Sequence, residues 1–201
     1  MQVEMTLESG SLLNTIVAGT DEVGRGPLAG DVFAAAVVLD DDCCIEGMDD
    51  SKKLTDKDRR RCSAEIISSA RAWAIAQASV EEIDEINILR ASLLAMHRAV
   101  TALHLQPEFV YVDGTFCPEW HYQSLAVVQG DSRVECIAAA SIIAKVARDD
   151  VMIEMDTLYP GYGFARHKGY ATAEHLLALR TLGPCPIHRR SFRPVADRLK
   201  R

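Results

Sequence analysis

The sequence lacks a long apolar run, a basic-plus-hydrophobic leader and any C-x-x-C pair. Its longest uncharged apolar stretches, Val32–Leu39 and Ile137–Ala144, fall far below the ~20 residues of a membrane span. No membrane partner is therefore expected. The start, MQVEMTLESGS, holds two glutamates and no basic residue, unlike a secretory leader, so a cytoplasmic protein is the expectation. Cys43, Cys44, Cys62, Cys117, Cys136 and Cys185 lack zinc-site spacing and read as reduced, mostly apolar side chains. Repeats, low-complexity tracts and Ser/Gly linkers are absent too. What remains is 201 residues, 48% hydrophobic and 25% charged, which suits one folded domain and excludes disorder as the main state.

The charge is uneven. The whole chain carries −7, which by itself argues against a nucleic-acid partner. Yet Arg180–Arg201 contains seven basic residues and a single acid, Asp197. A basic tail beside an acidic body suggests two surfaces with different tasks, although a solvated helix has the same composition.

Hydrophobic patterning alternates strands with helices. Strands are predicted at Thr15–Thr20, Val32–Leu39, Ala72–Ser79, Phe109–Val112 and Leu125–Val128. Thr55 is placed to cap a helix reaching about Ala70. Ser79 and Glu82 form a capping-box pattern ahead of one helix, whose Leu89, Leu93, Met96, Val100 and Leu103 share a core-facing stripe. A long helix is predicted over Val134–Met155, with Ala138-Ala139-Ala140 permitting close packing, and another from Thr172 to Leu182, stopped by Gly183. Helices between the third, fourth and fifth strands supply the crossovers of parallel pairing, while the first two strands are close enough for a hairpin. The fold class is α/β: a mixed five-stranded sheet flanked by helices, with a helical C-terminal extension from about residue 157. Residues 1–14 read as a flexible extension, and 15–201 as the domain.

Three strands run into acids beside glycines: Asp21-Glu22, Asp113-Gly114 and Gly130-Asp131. Sites of open α/β sheets form at the carboxyl ends of parallel strands. Four converging carboxylates would repel one another unless a cation sat among them. Oxygen donors favour Mg²⁺ or Mn²⁺, and two such ions about 4 Å apart suit hydrolysis of a phosphodiester. Neighbouring strand residues face opposite ways, so Asp21 and Glu22 meet only if the strand bends, which Gly24 would allow. Spacing alone fits surface loop acids equally well. Gly24-Arg25-Gly26 can bring backbone amides close to a hydroxyl or anion, or be an ordinary turn. Asp50-Ser51-Lys52-Lys53-Leu54 suits phosphate, or a helix entry. His167-Lys168-Gly169-Tyr170 and His188-Arg189-Arg190-Ser191-Phe192 join basic groups to an aromatic ring, as backbone-tracking surfaces do. A lone His in such a run is more often structural than catalytic.

Taken together the chain resembles bacterial ribonuclease HII. The resemblance rests on Asp21–Gly30 (DEVGRGPLAG), Asp50–Leu54, Val112-Asp113-Gly114, Gly130-Asp131-Ser132, Ala139–Val146 (AASIIAKV), Tyr162-Gly163-Phe164 and the two basic-aromatic runs, and spans about Ile16–Val195. It implies a ribonuclease H-like fold and an endonuclease acting on the RNA strand of RNA–DNA hybrids and on single ribonucleotides in duplex DNA. Asp21, Glu22, Asp113 and Asp131 would be the metal-binding catalytic acids, with Mg²⁺ or Mn²⁺ as cofactor. Gly24, Arg25 and Gly26 would read the ribose 2′-hydroxyl, Tyr170 would stack under the neighbouring sugar, and Lys52 would contact phosphate near the cut. Arg189 and Arg190 are expected to bind further phosphates. No obligate protein partner is implied and a monomer is expected. Val23, Gln129 and Cys136 depart from the family pattern without touching a proposed ligand. Related ribonucleases HIII carry an N-terminal substrate-binding domain, for which about twenty residues before Asp21 leave no room. A non-catalytic hybrid binder on the same fold is the other alternative, and the presence of all four acids argues against it.

Overall fold

The computed structural model describes residues 15–40, 45, 47–48 and 54–200. The Asp50–Lys53 segment, and with it Lys52, lies outside the described residues, as do residues 1–14.

Five strands form one mixed sheet: β1 (Val17–Val23), β2 (Val32–Val38), β3 (Ala72–Ala78), β4 (Phe109–Asp113) and β5 (Gln123–Val127), in the order β3-β2-β1-β4-β5. The first three pair antiparallel, while β4 joins β1 in parallel and β5 joins β4 in parallel. The apolar run of β2 is buried on both faces. Val32, Ala34, Ala36 and Val38 pack on one side, and Ala35 and Val37 on the other. That two-sided burial explains a run without polar alternation.

The helices largely follow the sequence signals. Thr55 caps α1 (Asp56–Ser69) by accepting from the Asp58 amide. Ser79 and Glu82 make both capping-box bonds at the start of α2 (Val80–Ile86). The single helix predicted beyond that point is two. Asn87, at φ +69°, ends α2, and its side chain caps α3 (Ile88–Thr101) through the amides of Leu89 and Arg90. The face of α3 turned to the sheet is Ala91, Ala95 and Ala99 with Met96 and Val100; Leu89 and Leu93 are only half-buried at its edge. A second correction concerns β4 and β5. Residues 114–122 connect them without a helix, and the partly buried Cys117, Trp120 and Tyr122 of that connection pack onto the core.

On the opposite face α4 (Glu135–Leu158) lies across β1 and β2, and Ala139, Ala140, Ile142 and Ile143 meet Cys62 and Ile66 of α1. Its N-terminal turn touches β1 because Gly19 has no side chain: a Cβ there would collide with the backbone of Cys136 and Ile137. Among the described residues no helix is long and apolar enough to cross a membrane.

The C-terminal extension comprises α5 (Phe164–His167), α6 (Ala173–Leu182) and α7 (Arg193–Leu199) around a small core of Ala29, Met152, Tyr162, Phe164 and Ala178. Three buried histidines sit against its rings. His167 Nε2 meets the Tyr162 carbonyl at 2.8 Å, His175 Nδ1 the Tyr170 carbonyl at 2.9 Å, and His175 and His188 face each other through Nε2 atoms 3.1 Å apart. Burial, then the neighbouring His175, pushes His188 down from 6.5 to about 4. The folded state therefore resists a proton that the unfolded chain accepts. His188 stabilises the fold fully above about pH 6.5, and that contribution is lost as pH falls toward 4. The interval from 6.5 to about 4, at ~1.4 kcal/mol per pH unit, gives roughly 3 kcal/mol. Urea denaturation at pH 7 and pH 4.5 should show a larger loss in the wild type than in His188→Gln, and an equal loss in the two proteins would contradict it.

Candidate active site

β1 and β4 bring their carboxyl ends together. Thr20 pairs with Val112 at the end of their shared register, and Asp21 and Asp113 follow. Beyond that point β1 leaves β4 but keeps its ladder with β2 through Val23↔Phe33. Asp21 is 5% exposed. Its Oδ1 accepts the Glu22 amide at 2.7 Å, and the Ser141 side chain of α4 also hydrogen-bonds it. One carboxylate oxygen each from Asp21, Glu22 and Asp113 lie within 4.8 Å of one another. The ladder with β2 runs on through Asp21, Glu22 and Val23 while the pairing with β4 ends at Thr20, and at that parting the two adjacent acids share one space.

Asp131 occupies the 3-10 turn Gly130–Ser132 and is also 5% exposed, but it stands outside the set of three. The turn is tied to the site by the Gly130 amide, which donates to Asp113 Oδ1 at 2.7 Å.

Burial, then the charges of Glu22 and Asp113, hold the Asp21 carboxyl well above the usual range. Burial raises Glu22 as well, although Arg25, 3.2 Å away, opposes that rise. Like charges forced together out of water need a counter-charge. An all-oxygen donor set at this spacing fits a hard divalent cation. Glu22, Arg25 and Asp113 line a cavity of about 140 Å³. Leu89, Leu93 and Phe116 carry its wall on into a groove of about 590 Å³ along α3. Phe116, 57% exposed, belongs to this wall and had no pattern in the sequence to mark it.

The Gly24-Arg25-Gly26 turn follows β1 directly and meets the extension. A Cβ on Gly26 would lie 3.5 Å from the Tyr170 ring, so turn and ring form one continuous surface. Arg25 and Gly26 are exposed, and Tyr170 is 43% exposed.

Arg189 and Arg190 divide. Arg190 is exposed, with its amide held by Asp84. Arg189 is fully buried and cannot be the phosphate ligand that the sequence suggested. Its guanidinium donates to the carbonyls of Gly24, Arg25, Pro27 and Gly30 at 2.6–2.9 Å, leaving none of it for a ligand.

Residues 18–195 match the family model for ribonuclease HII. The chain is 57% identical over 187 residues to the ribonuclease HII of Nitrosococcus oceani, covering 93% of each. It is 58% identical over 179 residues to that of Thiobacillus denitrificans, covering 89% of this chain and 88% of the relative. The solved structure of the ribonuclease H2 from Pyrococcus horikoshii superposes with a TM-score of 0.76 at 27% identity, over 92% of this chain and 97% of that one. Identity above one half along nearly the whole length means more than a shared fold: the chain belongs to the ribonuclease HII family and is a ribonuclease H enzyme.

Proposed function

We propose that this chain is an endonuclease that hydrolyses the RNA strand of RNA–DNA hybrids and nicks on the 5′ side of single ribonucleotides in duplex DNA. It would leave 3′-hydroxyl and 5′-phosphate ends and so open ribonucleotide excision repair in the cytoplasm, acting as a monomer. The observation that carries the reading is the set of three carboxylates at the β1 and β4 ends, beside a surface made by Gly26 and Tyr170. Asp21, Glu22 and Asp113 would hold Mg²⁺ or Mn²⁺, with Asp131 on the adjoining turn as the fourth candidate. When bound, the ions supply charge neutralisation at the scissile phosphate and acidify water. The chain's own groups do the rest. Ser141 and the Glu22 amide orient the Asp21 carboxylate, the Gly130 amide orients Asp113, and the Gly24–Gly26 turn offers amides to a sugar hydroxyl. Lys52 would meet a phosphate near the cut.

A divalent-metal titration of cleavage on an RNA–DNA hybrid tests this reading against a non-catalytic binder. Cleavage should appear with Mg²⁺ or Mn²⁺ and vanish with chelator. Binding without cleavage at every metal concentration would favour the binder.

Arg190 remains the proposed phosphate contact of the pair. Removing it in Arg190→Ala should flatten the slope of log affinity against log salt by about 0.9, the yield of one phosphate contact. Arg189→Lys should leave the slope alone, since a buried guanidinium bonded to carbonyls releases no counter-ion. A slope that changes for Arg189→Lys and not for Arg190→Ala would reverse the assignment.

A further inference from the structure

Two arginines distant in sequence are buried against one loop. Arg148 of α4 and Arg189 are both 0% exposed. Arg148 donates Nε to the Asp31 carbonyl, one terminal nitrogen to the Ala29 carbonyl and the other to the Lys168 carbonyl, each at 3.1 Å. Arg189 takes the carbonyls of Gly24, Arg25, Pro27 and Gly30. Between them they hold the loop from Gly24 to Asp31 almost carbonyl by carbonyl.

The arrangement is costly. Burial and the proximity of Arg148 push Arg189 down to about 9, and Asp31 offsets the repulsion only in part. An apolar filler would avoid this desolvation. Glycine is required opposite the clamp: at Gly24, φ +98°, a Cβ would overlap the Arg148 guanidinium, and at Gly30 it would lie 2.6 Å from Met152 Sδ.

The direction of the carbonyls decides the direction of the amides. A trans peptide points its C=O and N–H to opposite sides, and no described peptide is cis. With the Gly24 carbonyl drawn inward to Arg189, the Arg25 amide faces outward. With the Arg25 carbonyl drawn inward, so does the Gly26 amide. Neither amide has an acceptor among the described residues, and both belong to exposed residues, Gly26 lying against Tyr170. Backbone donors left open at the surface and fixed from behind are pre-organised to meet an oxygen of a ligand.

We propose that Arg148 and Arg189 are positioning residues for sugar recognition: a buried double-guanidinium clamp aims the Arg25 and Gly26 amides at a ribose hydroxyl and so sets the discrimination of ribose from other sugars. The proposal rests on the ribonucleotide-nicking reading above. Lysine keeps the charge but not the planar fork that captures several carbonyls at once. Arg189→Lys and Arg148→Lys should therefore loosen the aim of the amides without discharging the interior.

The experiment compares cleavage of a duplex holding one ribonucleotide with the same duplex holding a 2′-fluoro sugar, whose fluorine is a poor acceptor. Affinity for an all-DNA duplex and the melting temperature are measured alongside. In either lysine variant the preference for 2′-hydroxyl over 2′-fluoro should fall at least tenfold, through kcat more than KM, with all-DNA affinity unchanged. A purely structural role would lower both cleavages together and keep their ratio, which would overturn the proposal. A wild-type protein that fails to nick the ribonucleotide duplex would instead overturn the underlying reading. A measurement free of variants stands beside these. Without divalent cation, hydrogen exchange at the Arg25 and Gly26 amides should slow at least tenfold on adding the ribonucleotide duplex, and not on adding all-DNA duplex. Equal exchange with both duplexes would also overturn the proposal.

Discussion

Asp21→Asn is expected to lower hydrolysis by about 10³-fold or more while raising the melting temperature of the metal-free protein at pH 7. The first effect follows from removing one anionic donor from a set of three. Metal-supplied charge stabilisation at a phosphoryl oxygen is worth several kcal/mol, and each ~1.4 kcal/mol is tenfold in rate. The second follows from burial. The folded state holds the Asp21 carboxyl well above its usual range, because it lies out of water beside Glu22 and Asp113. A carboxyl raised on folding costs stability once pH passes its unfolded value, and that cost is present at pH 7. Asparagine keeps an oxygen for the Glu22 amide and removes the charge. The melting temperature of the metal-free protein should therefore rise.

A third readout links the two. Divalent cation should raise the melting temperature of the wild type, as a ligand of the folded state does, and should do so much less for Asp21→Asn. Asp113→Asn should lose activity alike, with the Gly130 amide still able to bond its remaining oxygen. Unchanged hydrolysis in Asp113→Asn would remove that residue from the site, and an undiminished metal response in Asp21→Asn would remove Asp21.

What the sequence made legible was whatever is local. Capping at Thr55, Ser79 and Thr172 depends on a side chain and an amide three residues on, and all three caps are present. The apolar run of β2 announced a buried strand because both of its faces are covered. The acids at the β1 and β4 ends were readable because a parallel pair must present its carboxyl ends on one side. Asn87 was not, since helix-forming residues lie on both sides of it and only its own left-handed backbone makes the break. The sheet-facing alanines of α3 give a weaker signal than the leucines beside them, so the stripe looked deeper than it is. Arg189 was the furthest from reach. Arginine is almost never fully buried, and His188–Phe192 has the composition of a basic surface. What buries it is a set of carbonyls more than 150 residues earlier in the chain. No local pattern encodes that pairing. Asp131 shows the complementary limit: the resemblance set it with the strand-end acids, and the carboxylate oxygens within 4.8 Å of one another are those of Asp21, Glu22 and Asp113.

The largest selectivity is expected in cleavage mapping on a duplex with one embedded ribonucleotide. The Gly24–Gly26 turn and the Tyr170 ring share one surface, with 3.5 Å between the Gly26 Cβ position and the ring. On the proposed reading, ribose would be favoured on the turn side of the cut and deoxyribose over the ring, where an added hydroxyl would crowd the flat face. A site built to hydrogen-bond a hydroxyl rejects a substrate without it by about 10⁴–10⁵-fold, because its own polar groups are left unpaired. On the same reading, the Arg25 and Gly26 amides would be the groups that deoxyribose leaves unpaired. All-DNA duplex should accordingly bind through its phosphates and stay uncut. The single nick should fall 5′ of the ribonucleotide, leaving it at the 5′ end of the downstream fragment. Tyr170→Ala should lower junction cleavage by about 10–100-fold, in line with ~1–3 kcal/mol for one lost stacking contact, and change affinity for the duplex less. Tyr170→Phe should retain most of the activity, because the backbone that carries the ring is held through the Tyr170 carbonyl by His175. Comparable cutting of all-DNA duplex, or a nick on the 3′ side of the ribonucleotide, would refute this assignment of turn and ring.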